Sequence, residues 1–224
     1  FGGSVAAVNA ALDGMAFSPP PEYSGGATLA ITARDAIVIA LERDASLAGR
    51  YTFEGSAADV APGVPQDGSL LGNASFAAAT GHGAVLVLDG DGDAVQVAGV
   101  VGTANVTIGG WVNLSVLAGG RSEFISLDDR VHIALDDIAG VKGSVQVGPG
   151  QWLDLNSGQS FAGTGWHHVM YVYDDAADRH SLYIDGQLAA TATTPASIDW
   201  AGATTPWIGR HPTNTPLWDF EGQI

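Results

Sequence analysis

Residues 165–174, GWHHVMYVYD, followed closely by residues 180–191, HSLYIDGQLAAT, decide how this chain folds. In a strand, successive side chains point to opposite faces, so Val169, Tyr171 and Tyr173 share one side while His168, Met170 and Val172 share the other. Asp185-Gly186 between two such runs is a strong signal for a two-residue hairpin turn. The same rhythm recurs from Tyr51 onward. Val85 to Leu88 and Ala94 to Val97 flank Asp89-Gly90-Asp91-Gly92-Asp93, and Phe124 to Leu127 and Val131 to Leu135 flank Asp128-Asp129. Turn signals at intervals of about 8 to 12 residues are the pattern of a β-sandwich.

Composition agrees. Of 224 residues 46% are hydrophobic, enough for a real core, and 31 Gly with 10 Pro supply turns for many short strands. Eight basic residues stand against 24 acidic ones, and a formal charge of −16 repels nucleic-acid phosphates and anionic head groups. Neither is an expected partner. Clustered carboxylates suit either hard cations such as calcium or a solvated acidic surface. Cysteine is absent, which rules out disulfides, thiolate metal sites and a cysteine nucleophile. The longest apolar run, Ala36 to Leu41, is far below the roughly 20 residues of a membrane-spanning helix, and no insertion is expected. Phe1-Gly2-Gly3-Ser4 lacks the basic start of a signal peptide, so an export signal is expected elsewhere in a parent protein.

Near the start, Ser4 caps a short helix over about Val5 to Leu12 that Gly14 stops, and Thr28 to Thr32 alternates as a strand. Residues 8–35, VNAALDGMAFSPPPEYSGGATLAITARD, resemble the C-terminal part of a cadherin-like, immunoglobulin-type repeat of large bacterial adhesins. Residues 1–41 are therefore expected to be a partial repeat, a β-rich remnant with one short helix, and residues 42–50 a polar linker.

Beyond it, YTFEGSAADVAPGVPQDGSL (51–70), LVLDGDGDAVQV (86–97), VTIGGWVNL (106–114), GWHHVMYVYD, HSLYIDGQLAAT and TPWIGRHP (205–212) occur in the order of a laminin-G-like, concanavalin-A-like jelly roll. The resemblance implies an all-β, antiparallel two-sheet jelly-roll sandwich over residues 51–224. FEGQI (220–224) resembles the beginning of the family's closing segment, so a final strand is expected to be missing and a sheet edge open to self-association. The resemblance also implies calcium, stapling the loop after the first strand through Asp59, Gln66 and Asp67. Val60-Ala61-Pro62-Gly63-Val64-Pro65 departs from the family's polar loop and leaves backbone carbonyls as further ligands. The Asp89–Asp93 run is half a calcium loop, but without a following glutamate it reads better as a solvated hairpin tip.

Trp111 and Trp166 sit among alternating apolar residues and are expected in the core. Adjacent strand residues face opposite ways, so His167 and His168 cannot readily ligate one ion. Glu22, Glu42, Glu54, Glu123 and Glu221 are scattered and form no run of Glu, Asp and Glu at alternating positions, and no Gly-x-Ser-x-Gly elbow occurs. A non-catalytic binding module is the expectation. Trp152, Trp200, Trp207 and Trp218 are the candidate ligand-stacking residues, for a glycan or cell-surface ligand bound by a secreted or surface-displayed adhesion protein. The alternative is a structural spacer or fibre subunit completed by strands from a neighbouring chain.

Overall fold

The computed structural model describes residues 46–99, 102–116, 120–136, 138–203, 205–213 and 218–224. The expected N-terminal helix and the cadherin-like segment lie outside the described residues. Residues 48–224 form one compact unit.

This unit is a sandwich of two antiparallel seven-stranded sheets. The first sheet runs, in spatial order, through β1 (Ser69–Leu71), β4 (Ala94–Gln96), β13 (Pro206–Ile208), β6 (Arg121–Leu127), β7 (Val131–Asp136), β8 (Gly140–Gly148) and β9 (Gln151–Asn156). The second runs through β12 (Gln187–Thr193), β11 (Arg179–Ile184), β10 (His167–Asp174), β5 (Val106–Val116), β14 (Glu221–Gln223), β3 (Gly83–Asp89) and β2 (Ser75–Ala79). The expected all-β two-sheet jelly roll is therefore what the chain adopts.

Alternation fixes which side of each strand is buried. Val169, Tyr171 and Tyr173 of β10 have no exposed surface and face Val131, Ile133 and Leu135 of β7 and Val141 and Val145 of β8 within one core cluster. Asp185 and Gly186, both at positive φ, close the β11–β12 hairpin as expected. Asp128 and Asp129, at φ 51° and 56°, close β6–β7 in the same way.

Two expectations change. β3 and β4 are not a hairpin: β3 pairs with β2 and β14, while β4 pairs with β1 and β13 in the other sheet. Residues 89–93 therefore carry the chain from one sheet to the other. Their last member, Asp93, is buried and accepts the backbone N–H groups of Asn73 and Asp89, so it braces the crossing instead of sitting in a solvated tip. Trp111, expected in the core, is 50% exposed. Val112 and Leu114 take the inward positions of β5, which turns Trp111 outward against His82 and His168, and Trp166 is half-buried with its ring stacked on His82.

β14 enters the second sheet between β3 and β5 over three residues, and Ile224 exchanges two backbone hydrogen bonds with Leu86. Among the described residues, no strand lies between Gly83–Val85 of β3 and the first half of β5.

At Gly143 of β8, a β-carbon would stand 2.2 Å from the Tyr171 ring, so the facing sheet comes too close for any side chain. Gly143→Ala is expected to destabilise the domain by about 1–3 kcal/mol through overpacking, read by urea denaturation. Gly148→Ala, whose nearest neighbour is the flexible end of Gln151 at 3.4 Å, is expected to leave stability nearly unchanged. Equal effects would contradict this packing.

Candidate functional site

The inward parity just described turns a polar set outward on the first sheet. His132 of β7 lies in register with Ser144 of β8 and Ser126 of β6, Ser144 with Asp154 of β9, and Gln146 with Trp152. Arg121 and Glu123 of β6 and Lys142 of β8 complete the face. It is not an ordinary wet surface: Glu123, Ser126, His132 and Ser144 are buried. Trp152 from β9, and His211, Thr213 and Trp218 from the segment after β13, wall in a groove of about 400 Å3. Arg121, Asp129, His132, Lys142 and Asp154 line the rest.

The side chains are held tightly. The two-residue turn after β6 delivers Asp129, whose N–H donates to Ser126 Oγ at 3.0 Å and whose Oδ1 accepts from His211 Nε2 at 3.0 Å. His211 Nδ1 then accepts from Thr213, which fixes its tautomer. The Arg121 guanidinium donates to Glu123 Oε2 from Nη2 at 2.8 Å and from Nε at 3.2 Å, and lies 4.6 Å from the Trp218 ring centre, a cation–π distance. Arg121 Nη2 also approaches His132 Nε2 at 3.1 Å. Arginine can only donate, so Nε2 accepts and the His132 proton sits on Nδ1. Lys142 Nζ pairs with Asp154 Oδ2 at 2.9 Å, and the His132 ring lies 5.1 Å from that of Trp152.

Burial shapes the charges. It pushes the Glu123 carboxyl up to about 7 against the pull of Arg121. It holds His132 well below the ordinary histidine value, helped by the positive charges of Arg121 and Lys142. Glu123 Oε1, His132 Nδ1, Ser144 Oγ and Gln146 Oε1 are buried without hydrogen-bond partners. Such atoms reduce stability, and of these four residues His132 lines the groove. Indole walls with charged and polar side chains between them suit a polyhydroxylated ring.

Of the four tryptophans picked from sequence, the fold brings Trp152 and Trp218 together in this groove. The other two do not line it: Trp200 packs against the core with its Nε1 donating to Thr103 O at 2.7 Å, and Trp207 of β13 has the Arg210 guanidinium 6.0 Å from its ring centre. Sequence reasoning missed Arg121, Asp129, His132, Lys142, Asp154 and His211. For Arg121, His132, Lys142 and Asp154 the one signal is outward parity on β6 to β9, visible only once strand register is known, and Asp129 in a turn and His211 after β13 have no such signal.

The expected calcium residues do converge, through hydrogen bonds. Asp59 Oδ1 accepts the N–H groups of Arg50 and Ala61 at 2.8 and 2.9 Å, and Oδ2 accepts that of Gln66 at 3.1 Å. Asp67 Oδ1 accepts the Asp59 N–H at 2.9 Å, and Tyr51 donates to the Gln66 carbonyl at 2.7 Å. Gln66 Oε1 is buried and unpartnered. Among the described residues no group of three or more His, Cys, Asp or Glu is arranged to hold a metal ion. His167 and His168 serve the hairpin: Asp185 takes His167 Nδ1 at 2.8 Å and the His168 N–H at 2.9 Å.

The family described as the concanavalin A-like lectin/glucanases superfamily matches residues 89–224, more than half of the chain. No curated protein matches in sequence. Among solved structures, domain 4 of AbnA, a GH43 extracellular arabinanase from Geobacillus stearothermophilus in complex with arabinotriose, is 17% identical with a TM-score of 0.55, over 70% of this chain and 78% of that one. The binding domain of botulinum neurotoxin DC in complex with SialylT is 13% identical with a TM-score of 0.54, over 74% of this chain and 41% of that one. At these identities the likeness is one of fold.

Glu123 and His132 bias stability in opposite directions with pH. The folded state keeps the Glu123 proton up to about 7 whereas the unfolded chain releases it near 4.5, so this group's contribution falls as pH rises between them. His132 does the reverse, because below about 6.5 the unfolded chain takes up a proton that the fold refuses. Glu123→Gln isolates the first. Denaturation of both proteins from pH 4 to 8.5 is expected to show the variant gaining on the parent between about 4.5 and about 7 and levelling off above. A pH-independent difference would show that Glu123 ionises normally.

Proposed function

The chain belongs to the concanavalin A-like lectin/glucanases superfamily, and on that premise we propose that it is a non-catalytic carbohydrate-binding module in which the glycan lies in the groove on the outer face of the first sheet. The observation that carries this reading is the pairing of two indole walls, Trp152 and Trp218, with the hydrogen-bonding side chains of Arg121, Asp129, Lys142 and Asp154 that line the groove between them. Sugar rings stack on indoles through their C–H faces and exchange hydrogen bonds through their hydroxyls, and this groove offers both. Sugar complexes of proteins with a like fold accord with it. The place of the module is an extracellular or cell-surface protein, where it acts in adhesion to glycans.

Trp152→Ala and Trp218→Ala are each expected to weaken glycan binding at least tenfold, about 1.4 kcal/mol, by isothermal titration calorimetry. Trp111→Ala, on the outer face of the second sheet, is expected to leave it unchanged. Loss of binding on Trp111→Ala with neither groove variant affected would move the site to the other sheet.

Calcium at the Asp59 loop belongs to the same proposal. An ion there would draw on Gln66 Oε1 and loop carbonyls, since the Asp59 carboxylate already serves three N–H groups. Chelation is then expected to lower the melting temperature and added calcium to restore it; an unchanged melting temperature removes calcium from the account.

A further inference from the structure

Resting on the carbohydrate-binding reading, we infer that the groove selects uncharged oligosaccharides and discriminates against glycans carrying carboxylate or sulfate groups. The guanidinium and the ammonium in the groove already have their own carboxylates. Arg121 is held by Glu123 at 2.8 Å and Lys142 by Asp154 at 2.9 Å, while His211 Nε2 donates to Asp129 at 3.0 Å. An acidic sugar can gain a charge partner only by opening one of these pairs. Opening the Arg121 pair would leave Oε2 of the fully buried Glu123 without its two hydrogen-bond donors, and an unsatisfied buried acceptor is costly. The Arg121 guanidinium is also engaged at the Trp218 ring, so a bidentate grip on an incoming carboxylate would disturb a groove wall.

The carboxylates that line the groove point the same way. Asp129 and Asp154 present acceptor oxygens toward an incoming ligand. A hydroxyl supplies a donor and an acceptor together. A carboxylate or sulfate supplies acceptors alone and brings a negative charge toward Glu123, Asp129 and Asp154. At longer range the net charge of −16, with Lys142 the chain's only lysine, repels anionic polymers before they dock.

The test uses matched pairs that differ in charge at one carbon: galacto- with galacturono-oligosaccharides, gluco- with glucurono-, manno- with mannurono-. Binding by the 224-residue chain is measured by glycan array and calorimetry. At least one neutral member is expected to bind ten or more times tighter than its uronate counterpart. Uronates that bind as tightly or tighter would overturn the selectivity while leaving carbohydrate binding standing, whereas no binding to any glycan would overturn both. Asp154→Asn supplies a second arm, because it frees Lys142 at a partly exposed position. It is expected to narrow the neutral-to-acidic ratio at least threefold. An unchanged ratio would show that the Lys142–Asp154 pair does not set the discrimination.

Discussion

The ring of Tyr171 occupies the space over Gly143 where any β-carbon would collide, and from this contact between sheets the rest of the molecule follows. With Gly143 facing inward, Lys142 and Ser144 must face outward, because strand side chains alternate. Register carries the choice sideways. Ser144 lies opposite His132 and Asp154, and Lys142 opposite Ala134, so one buried contact assigns the outward face of three strands. The groove is thus a consequence of how the core is filled.

That outward face is unusual in being both polar and buried. Polar groups in such a position reduce stability unless they are hydrogen-bonded, and several here are not. Arg121 and Glu123 form a charge-assisted pair beneath Trp218, and Asp129 and His211 a second at its flank, which stiffen the walls. Rigid aromatic walls bind with little loss of conformational freedom. The arrangement sacrifices some folding stability for a surface prepared in advance.

Much of the fold was legible because it is local. Val169, Tyr171 and Tyr173 declare their shared face within five residues, and Asp185-Gly186 and Asp128-Asp129 announce their turns. The Asp89–Asp93 segment misled for the same reason: it looks like a local turn, but its strands are claimed by partners in different sheets. Trp111 misled because an aromatic between apolar neighbours does not say which parity faces inward. The groove was hardest to see. Asp129 and His211 are 82 positions apart, and Trp152 and Trp218 meet only after β9 and the segment beyond β13 are placed. Sequence could nominate four tryptophans but could not choose between them.

The central claim is that Trp152 and Trp218 form the ligand-binding face. The chain has six tryptophans, each giving one indole Nε1–H resonance, so titrating a bound oligosaccharide into 15N-labelled protein reads the site directly. The Trp152 and Trp218 signals are expected to move in step with saturation while those of Trp111 and Trp166, on the far sheet, stay in place. Movement of Trp111 and Trp166 with Trp152 and Trp218 unchanged would contradict the account.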